Sequence, residues 1–505
     1  MKSKVLTLVL CVALCLFPAV FAQADETTEN ENTGIANAAS ESDNNGIKVS
    51  LDKKDRIVGD KLIFSIETGE DGAQYAAVTG CTVKEKKQCI IPEAVIFEGT
   101  RYEVLEIADK AFKGNTIQEI TIPDGLKRIG NMAFFECEGL TSVVIPKKCD
   151  SIGYGAFMNC GNLANVDFNN TLCREIGELA FAYTALTSVE MSDMTESLLD
   201  NCFVGCTSLK TVYIGANCDN IGIGVFSDTP SMEKITKSKY NKRFKIIKGC
   251  IYTADGETLV SGAAAKGKLT LEKGVKNLCE YAFEGNSRIK TVTVPGTVKS
   301  VPEGCFMGCK ALKKAVIKNG VKSVGLCSFG NDGKLATVSI PKSLKKIEGN
   351  PFNGCNKLNT ITVSEKNAYF KVKEGVLCSA DLKNIISAPT VSGSLDLWPE
   401  CRKIEDYAFY ENKGLEKITF NEGLKSVGYA AFYGCGSLQK VYFSSRNTVL
   451  CDNPKEYNDI SGNVFFKCGE KLEISVPFSA EAGARGSLED CIEENCDGEV
   501  MITQH

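Results

Sequence analysis

The chain has 505 residues, with 63 acidic against 58 basic side chains, a net charge of −5 and an isoelectric point near 5.5. That balance gives no electrostatic reason to expect a nucleic acid as partner. The single histidine, His505, is the last residue, which removes Ser-His-Asp and Cys-His catalysis, the HExxH metal site and histidine acid–base chemistry together.

Residues 1–22 read as a secretory signal. Lys2 and Lys4 form its basic start, Val5 to Phe21 its apolar core, and Ala22 or Ala24 a small-residue cleavage position. Cys11 and Cys15 follow Leu10 and Leu14, not the small residue that lipidation uses. No later apolar run approaches the roughly 18 residues of a spanning helix, so no membrane span is expected in the mature chain. Residues 23–46 carry Asp25, Glu26, Glu29, Glu31, Glu41 and Asp43 with no basic residue. Such a segment buries no core and is predicted to be a disordered acidic linker. From Ile47 the pattern turns strand-like, through Leu62-Ile63-Phe64, Tyr75 to Val78, Ile90-Ile91 and Tyr102 to Val104. Residues 47–106 are therefore predicted to form an N-terminal cap.

From about Ile107 to Val476 a unit of the form LxxVxIPxxVxxIGxxAFxGC recurs with a step of 23 residues. The residue between the two apolar positions of "VxI" falls at Thr121, Val144, Asp167, Glu190, Tyr213 and Thr236. It resumes at Thr270, Thr293, Val316, Ser339 and Thr362, then at Asp396, Thr419 and Tyr442. A fixed step of this size marks a solenoid, whose units bury their apolar faces only against each other. Residues 107–477 form that solenoid. Twice the step grows to 34, which places 11-residue insertions near 240–260 and 366–386. The insertions resemble each other, Phe244-Lys-Ile-Ile-Lys-Gly249 against Phe370-Lys-Val-Lys-Glu-Gly375, at an offset of 126 residues that holds without a gap up to Ile317 and Phe443. A block of five rungs was duplicated, insertion included, and each insertion is expected to form a small hairpin-like bulge. Residues 478–505 become acidic and irregular, which suits a polar C-terminal cap or tail.

Within one unit the alternation of a strand turns V and I inward and the residue between them outward. One strand per unit, stacked in parallel about 4.8 Å apart, gives a continuous sheet roughly 70 Å long over about 15 rungs. The Phe of "AF" recurs from Phe112 and Phe134 to Phe432 and Phe465 and is predicted to stack as an internal spine. Three residues after it stand Asn115, Cys137, Cys160, Thr184, Cys206, Thr229, Asn286, Cys309, Asp332, Cys355, Asn412, Cys435 and Cys468. These types share small size and hydrogen-bonding to turn backbone. Cys149, Cys173, Cys218 and Cys401 replace aliphatic residues of "VxxI", and Cys202 and Cys305 replace the Ala before Phe. Cysteines in such columns read as small buried hydrophobes. They lie along lines and do not converge on one point, so no metal site is expected. Cys81 with Cys89 and Cys491 with Cys496 lie outside the repeats and are the predicted disulfides. Trp398, after the strand-like Leu395-Asp-Leu397, is expected to pack locally.

Little in the chain suggests catalysis, and no cofactor is expected. The one carboxylate pair worth naming for glycoside hydrolysis is Asp167 with Glu190 on adjacent rungs, and two solvated acids on a sheet explain it more simply. The outward face is where binding would live. Acids concentrate early on it and lysines late. Tyr and Lys supply contact area and charge, so Tyr213, Lys314, Lys417, Lys440 and Tyr442 are the predicted ligand-binding residues.

The units Ile129-Gly-Asn-Met-Ala133-Phe134, Leu140-Thr-Ser-Val143-Val-Ile145-Pro146 and Val427-Gly-Tyr-Ala-Ala431-Phe432-Tyr-Gly434-Cys435 resemble the BspA-like, Treponema-type leucine-rich repeat family. The resemblance covers roughly residues 60–480. It implies a right-handed, mostly β leucine-rich repeat solenoid on secreted or surface-displayed bacterial proteins, many described as adhesins. By that resemblance the chain is expected to be a secreted or cell-surface monomer that binds a host or neighbouring-cell protein or glycan. The alternatives are a carboxylate-based glycoside hydrolase and a purely architectural envelope component. The family carries no catalytic residues to transfer, and the chain shows no evident C-terminal anchor of the kind many members have.

Overall fold

The computed structural model describes residues 46–52, 54, 56–82, 87–450, 464–469, 471–478, 488–496 and 499–505. Residues 1–45, which hold the predicted signal and all but the last residue of the predicted linker, lie outside the described residues. Each 23-residue unit forms one coil of a β-solenoid. In its front strand, for example Thr211–Ile214, Val212 and Ile214 are buried while Thr211 is exposed and Tyr213 half-exposed. Equivalent residues pair in register between rungs, Val212 with Ile235 and Val292 with Ala315.

The expectation of one strand per unit is corrected by a second sheet. Two-residue strands Arg128–Ile129, Ser151–Ile152, Glu175–Ile176, Ser197–Leu198 and Asn220–Ile221 pair in parallel along the back of the coils. Two residues show no period-two alternation, so sequence patterning has nothing to detect. This back sheet runs directly into the N-terminal segment. Strand Thr100–Ile107 pairs with Arg128–Ile129 on one side and with Gln74–Cys81 on the other. Strand Gln88–Ile90 begins the front sheet beside Glu119–Thr121.

The spine forms as stacked phenylalanines. Phe112, Phe134, Phe157, Phe181, Phe203 and Phe226 stack with ring centroids 5.0–6.0 Å apart. Separate stacks hold Phe283 to Phe352 and Phe409 to Phe465. The insertions explain the breaks. Each does form a hairpin, Phe244–Ile247 against Cys250–Thr253 and Phe370–Lys373 against Val376–Ser379. The hairpins are not surface bulges, however; they cross the interior as septa. Ile251 faces the first core, while its neighbours Cys250 and Tyr252 face the second. Leu377 faces the second core, and Val376 and Cys378 face the third. Gly262 sits where a Cβ would fall 1.9 Å from the Phe283 ring, so the second stack starts against bare backbone. Trp398 packs locally, buried, with its indole N–H donated to the Leu382 carbonyl.

At the far end, strand Lys471–Val476 is followed by a short helix, Leu488–Glu494, and by strand Glu499–Gln504. The last strand pairs in parallel with Lys471–Val476, Leu472 opposite Val500 and Ile474 opposite Ile502. The helix and this last strand fall within residues 478–505, the segment expected to be a polar C-terminal cap or tail.

Candidate binding face

Two sets of repeat positions carry polar chemistry, one inside and one outside. Inside, the column three residues after each Phe is a ladder of donors. Cys137, Cys160, Cys206, Cys309, Cys355, Cys435 and Cys468 each donate a thiol hydrogen to the carbonyl of the preceding rung's spine phenylalanine, at 2.9–3.3 Å. Asn286 and Asn412 donate amide hydrogens to turn carbonyls in the same way. Burial pushes the thiols of Cys160, Cys309 and Cys355 well up, those of Cys137 and Cys435 to about 12 and that of Cys206 to about 11. A thiol held that far above neutral pH is neither a nucleophile nor a ready metal ligand. The column is structural, and no group of three or more metal-ligating side chains occurs among the described residues.

One rung departs from the pattern. Asp332 occupies the slot between Cys309 and Cys355, fully buried, and neither carboxyl oxygen has a well-aligned hydrogen-bond partner. Burial pushes its carboxyl well above the usual range, only partly opposed by the Cys309 backbone. Burial thus favours the neutral acid there.

Outside, the front sheet brings three of the five predicted binding residues together. Lys417 and Lys440 are direct partners on consecutive strands, Leu415–Phe420 and Lys440–Phe443, with Thr419 beside Tyr442. The Lys417 ammonium lies 4.7 Å from the centre of the Tyr442 ring, within cation–π range. Sequence reasoning missed Glu473. It pairs with Lys440 in register and accepts an ion pair from it at 3.0 Å, which raises the Lys440 ammonium above its ordinary value. The step from 440 to 473 is not 23, so the repeat count hides this neighbour; the recurring Leu472-x-Ile474 alternation was the available signal. A cleft of about 810 Å³ opens beside this cluster, lined in part by Gln439, Lys440, Lys471, Glu473 and Met501.

The other two predicted residues stand apart. Tyr213 lies between Glu190 and Thr236 in the first run of the front sheet, and Lys314 between Thr291 and Thr337 in the second. Asp167 and Glu190 sit on neighbouring rungs, but Asp167 accepts a hydrogen bond from the Asn169 amide in its own turn, and Glu190 pairs with Tyr213. Cys81 is half-buried at the end of strand Gln74–Cys81, and Cys89 is buried in Gln88–Ile90. Cys491, in the terminal helix, and Cys496 beyond it are both half-buried; Asn495 donates to the Cys491 carbonyl.

Residues 105–233, 265–377 and 392–493 match the family profile described as "BspA type Leucine rich repeat region". The gap between the first two stretches falls on the first septum, and the second septum lies where the middle stretch ends. Among solved structures, a leucine-rich cell surface protein from Faecalibacterium prausnitzii is similar at 20% identity and a TM-score of 0.49, over 78% of this chain and 96% of that one. A leucine-rich repeat protein from Eubacterium ventriosum is similar at 21% identity and a TM-score of 0.49, over 76% and 88% of the two chains. One from Bacteroides ovatus is similar at 21% identity and a TM-score of 0.40, over 78% and 98%. A search of curated proteins finds no match.

Proposed function

This chain belongs to the BspA-type leucine-rich repeat family, and from that premise we propose that it is an exported, non-catalytic interaction protein. In this reading its front sheet docks a partner protein or glycan at the C-terminal third. The observation that carries the site is the juxtaposition of Lys417, Tyr442 and Lys440 on consecutive rungs beside the cleft. An aromatic ring with a cation over it supplies rigid area and charge, the usual anchor of a binding hot spot. Because Glu473 pairs with Lys440, the patch is bipolar. It favours a ligand bearing an acidic group for Lys417 and a hydrogen-bond donor for Glu473.

The test is an array of host matrix proteins and glycans, probed with wild type and with Lys417→Ala, Lys440→Ala, Tyr442→Ala combined. These side chains are exposed or half-exposed, so the fold is expected to persist. A ligand found on the array should bind the triple variant at least about tenfold more weakly, and weaken with salt since surface charges are screened within about 10 Å at 0.1 M. Equal binding by the variant would move the site off this sheet. Export itself is read by N-terminal sequencing of the mature protein, where cleavage after Ala22 or Ala24 is expected. In an oxidising compartment we expect Cys81 to pair with Cys89 and Cys491 with Cys496, which non-reducing peptide mapping detects.

A further inference from the structure

The residue just before each short back strand forms a column of its own, and its charge differs between blocks of the same solenoid. In the first block the column reads Lys127, Asp150, Arg174, Glu196 and Asp219. From Asp150 on, each donates its backbone N–H to the carbonyl of the one before, at 2.8–3.0 Å. The charges are mixed, and Arg174 reaches Asp150 at 3.6 Å and Glu196 at 3.9 Å. In the middle block the same column reads Lys276, Lys299, Lys322 and Lys345, all exposed and 23 residues apart. From Lys299 on, the backbone ladder is the same: the Lys322 amide donates to the Lys299 carbonyl at 2.7 Å, and the Lys345 amide to Lys322 at 2.8 Å. Lys276 has an acidic partner, Glu257. No acidic side chain lies within ion-pair distance of Lys299 or Lys322 among the described residues.

Like charges on adjacent strand positions destabilise a sheet, and the first block shows that this backbone accepts alternating signs. The wider surroundings point the same way. Residues 107–233 hold 16 acidic against 8 basic residues, whereas 265–366 hold 18 basic against 7 acidic. Two of those seven, Glu284 and Asp332, are buried. The middle block is therefore a cationic segment within a chain of net charge −5.

We propose that the lysine column of the middle block is a docking track for a linear anionic polysaccharide, one carrying sulfate or carboxylate groups, laid along the solenoid axis. Rungs about 4.8 Å apart set the ammonium groups at a regular spacing that a polymer with repeated anionic groups can follow. Beside the track stand Ser300 and Ser323, whose hydroxyls meet at 2.8 Å. These offer hydrogen bonds, and at one end the Tyr369 ring lies 5.9 Å from the Lys345 ammonium. Single-stranded nucleic acids stack their bases on a succession of rings, whereas a glycan needs charge, hydroxyls and at most one such platform. A glycan fits that surface better. The track is separate from Lys417, Lys440 and Tyr442, so it stands or falls independently of the front-sheet reading.

The experiment measures binding of heparin, of neutral dextran and of a single-stranded oligonucleotide to the full mature chain at several salt concentrations. Wild type should bind heparin and not dextran, with affinity falling as salt rises. Lys299→Glu with Lys322→Glu restores mixed charge to the column. It should weaken heparin binding by about tenfold or more at 0.1 M salt, while thermal unfolding shifts upward or holds. Lys299→Gln with Lys322→Gln should weaken binding by less, and it serves as the test if the charge-reversed variant fails to fold. Undiminished heparin binding by a folded variant overturns the track. Equal affinity for the oligonucleotide overturns the glycan assignment, and loss of binding on the Lys417, Lys440, Tyr442 variant instead would assign heparin to the front sheet.

Discussion

The regular rungs and the two septa are built from the same repeat alphabet, yet they shape the core in opposite ways. Along the rungs each Phe stacks on the next, and every coil adds to one continuous column. At the septa a hairpin crosses the interior and turns alternate side chains to opposite cores, Ile251 one way and Cys250 with Tyr252 the other. The 23-residue period therefore sets the cross-section of the solenoid, while the 11-residue insertions divide its interior into three cores. A repeat array behaves as a chain of nearest-neighbour interfaces, so a septum is a place where coupling between neighbours can be severed.

The largest expected effect lies within a stack. Phe157 is fully buried between Phe134 and Phe181, with centroids 5.0 and 5.1 Å away. Phe157→Ala should cost about 3–5 kcal/mol and depress a single transition in urea unfolding, that of the first core. A septum substitution sharpens the contrast. Leu377→Ala removes a buried side chain that faces the middle core from a strand whose Val376 and Cys378 face the third. A loss of about 2–5 kcal/mol should here be shared by two cores, splitting or broadening the unfolding curve. If both variants shift the same single transition in parallel, the cores are not separate units and the comparison fails.

Much of this architecture is legible in the residues alone. The step of 23 identifies the solenoid, the recurring "AF" identifies the spine, and substitution of Cys by Asn and Thr in one slot points to backbone hydrogen-bonding. The rest was hidden for physical reasons. Back strands of two residues are too short to alternate. The insertions look like hairpins in sequence, but whether a hairpin lies outside or crosses the core depends on its two faces both being apolar. Phe244, Ile251, Tyr252 and Leu259 show this only once their partners are placed. At the candidate binding face, the juxtaposition of Lys417, Lys440 and Tyr442 was readable from the slot, whereas Glu473 was concealed by an irregular step.

Asp332 offers an intermediate effect of opposite sign. Its slot elsewhere holds a hydrogen-bond donor, and a buried carboxyl lacking well-aligned partners costs about 1–3 kcal/mol. Asp332→Asn supplies an amide donor that requires no bound proton and should stabilise the middle core by that order at pH 7. The sign with pH comes from the direction of its shift. Burial raises its folded pKa well above the ordinary carboxylate range, so the folded state holds the proton more tightly than the unfolded chain. Its favourable contribution is complete below the unfolded pKa and is lost as pH rises toward the folded one. The advantage of Asp332→Asn should therefore be least in acid and grow on going to neutral pH. An advantage independent of pH would show that Asp332 is not held as the neutral acid.

The smallest effect concerns the thiols on either side of it. Cys309 and Cys355 donate to the carbonyls of Phe283 and Phe329 at 3.3 and 2.9 Å. Cys355→Ala removes one sulfur and one weak hydrogen bond, a loss of about 1 kcal/mol. It should fall on the middle core alone, since Cys355 belongs to that core and to neither of its neighbours. The same burial that makes these thiols structural should make them unreactive. Their pKa values are raised by desolvation, and the thiolate is the species that alkylates. Iodoacetamide at pH 8 should therefore modify the half-buried Cys279 well before Cys309 or Cys355, as read by peptide mass spectrometry. Under urea the order of labelling should track the cores, all cysteines of one becoming reactive together. Labelling of Cys309 in the native protein at a rate like that of Cys279 would mean that the rungs open locally. The septa would then not be the boundaries at which the solenoid comes apart.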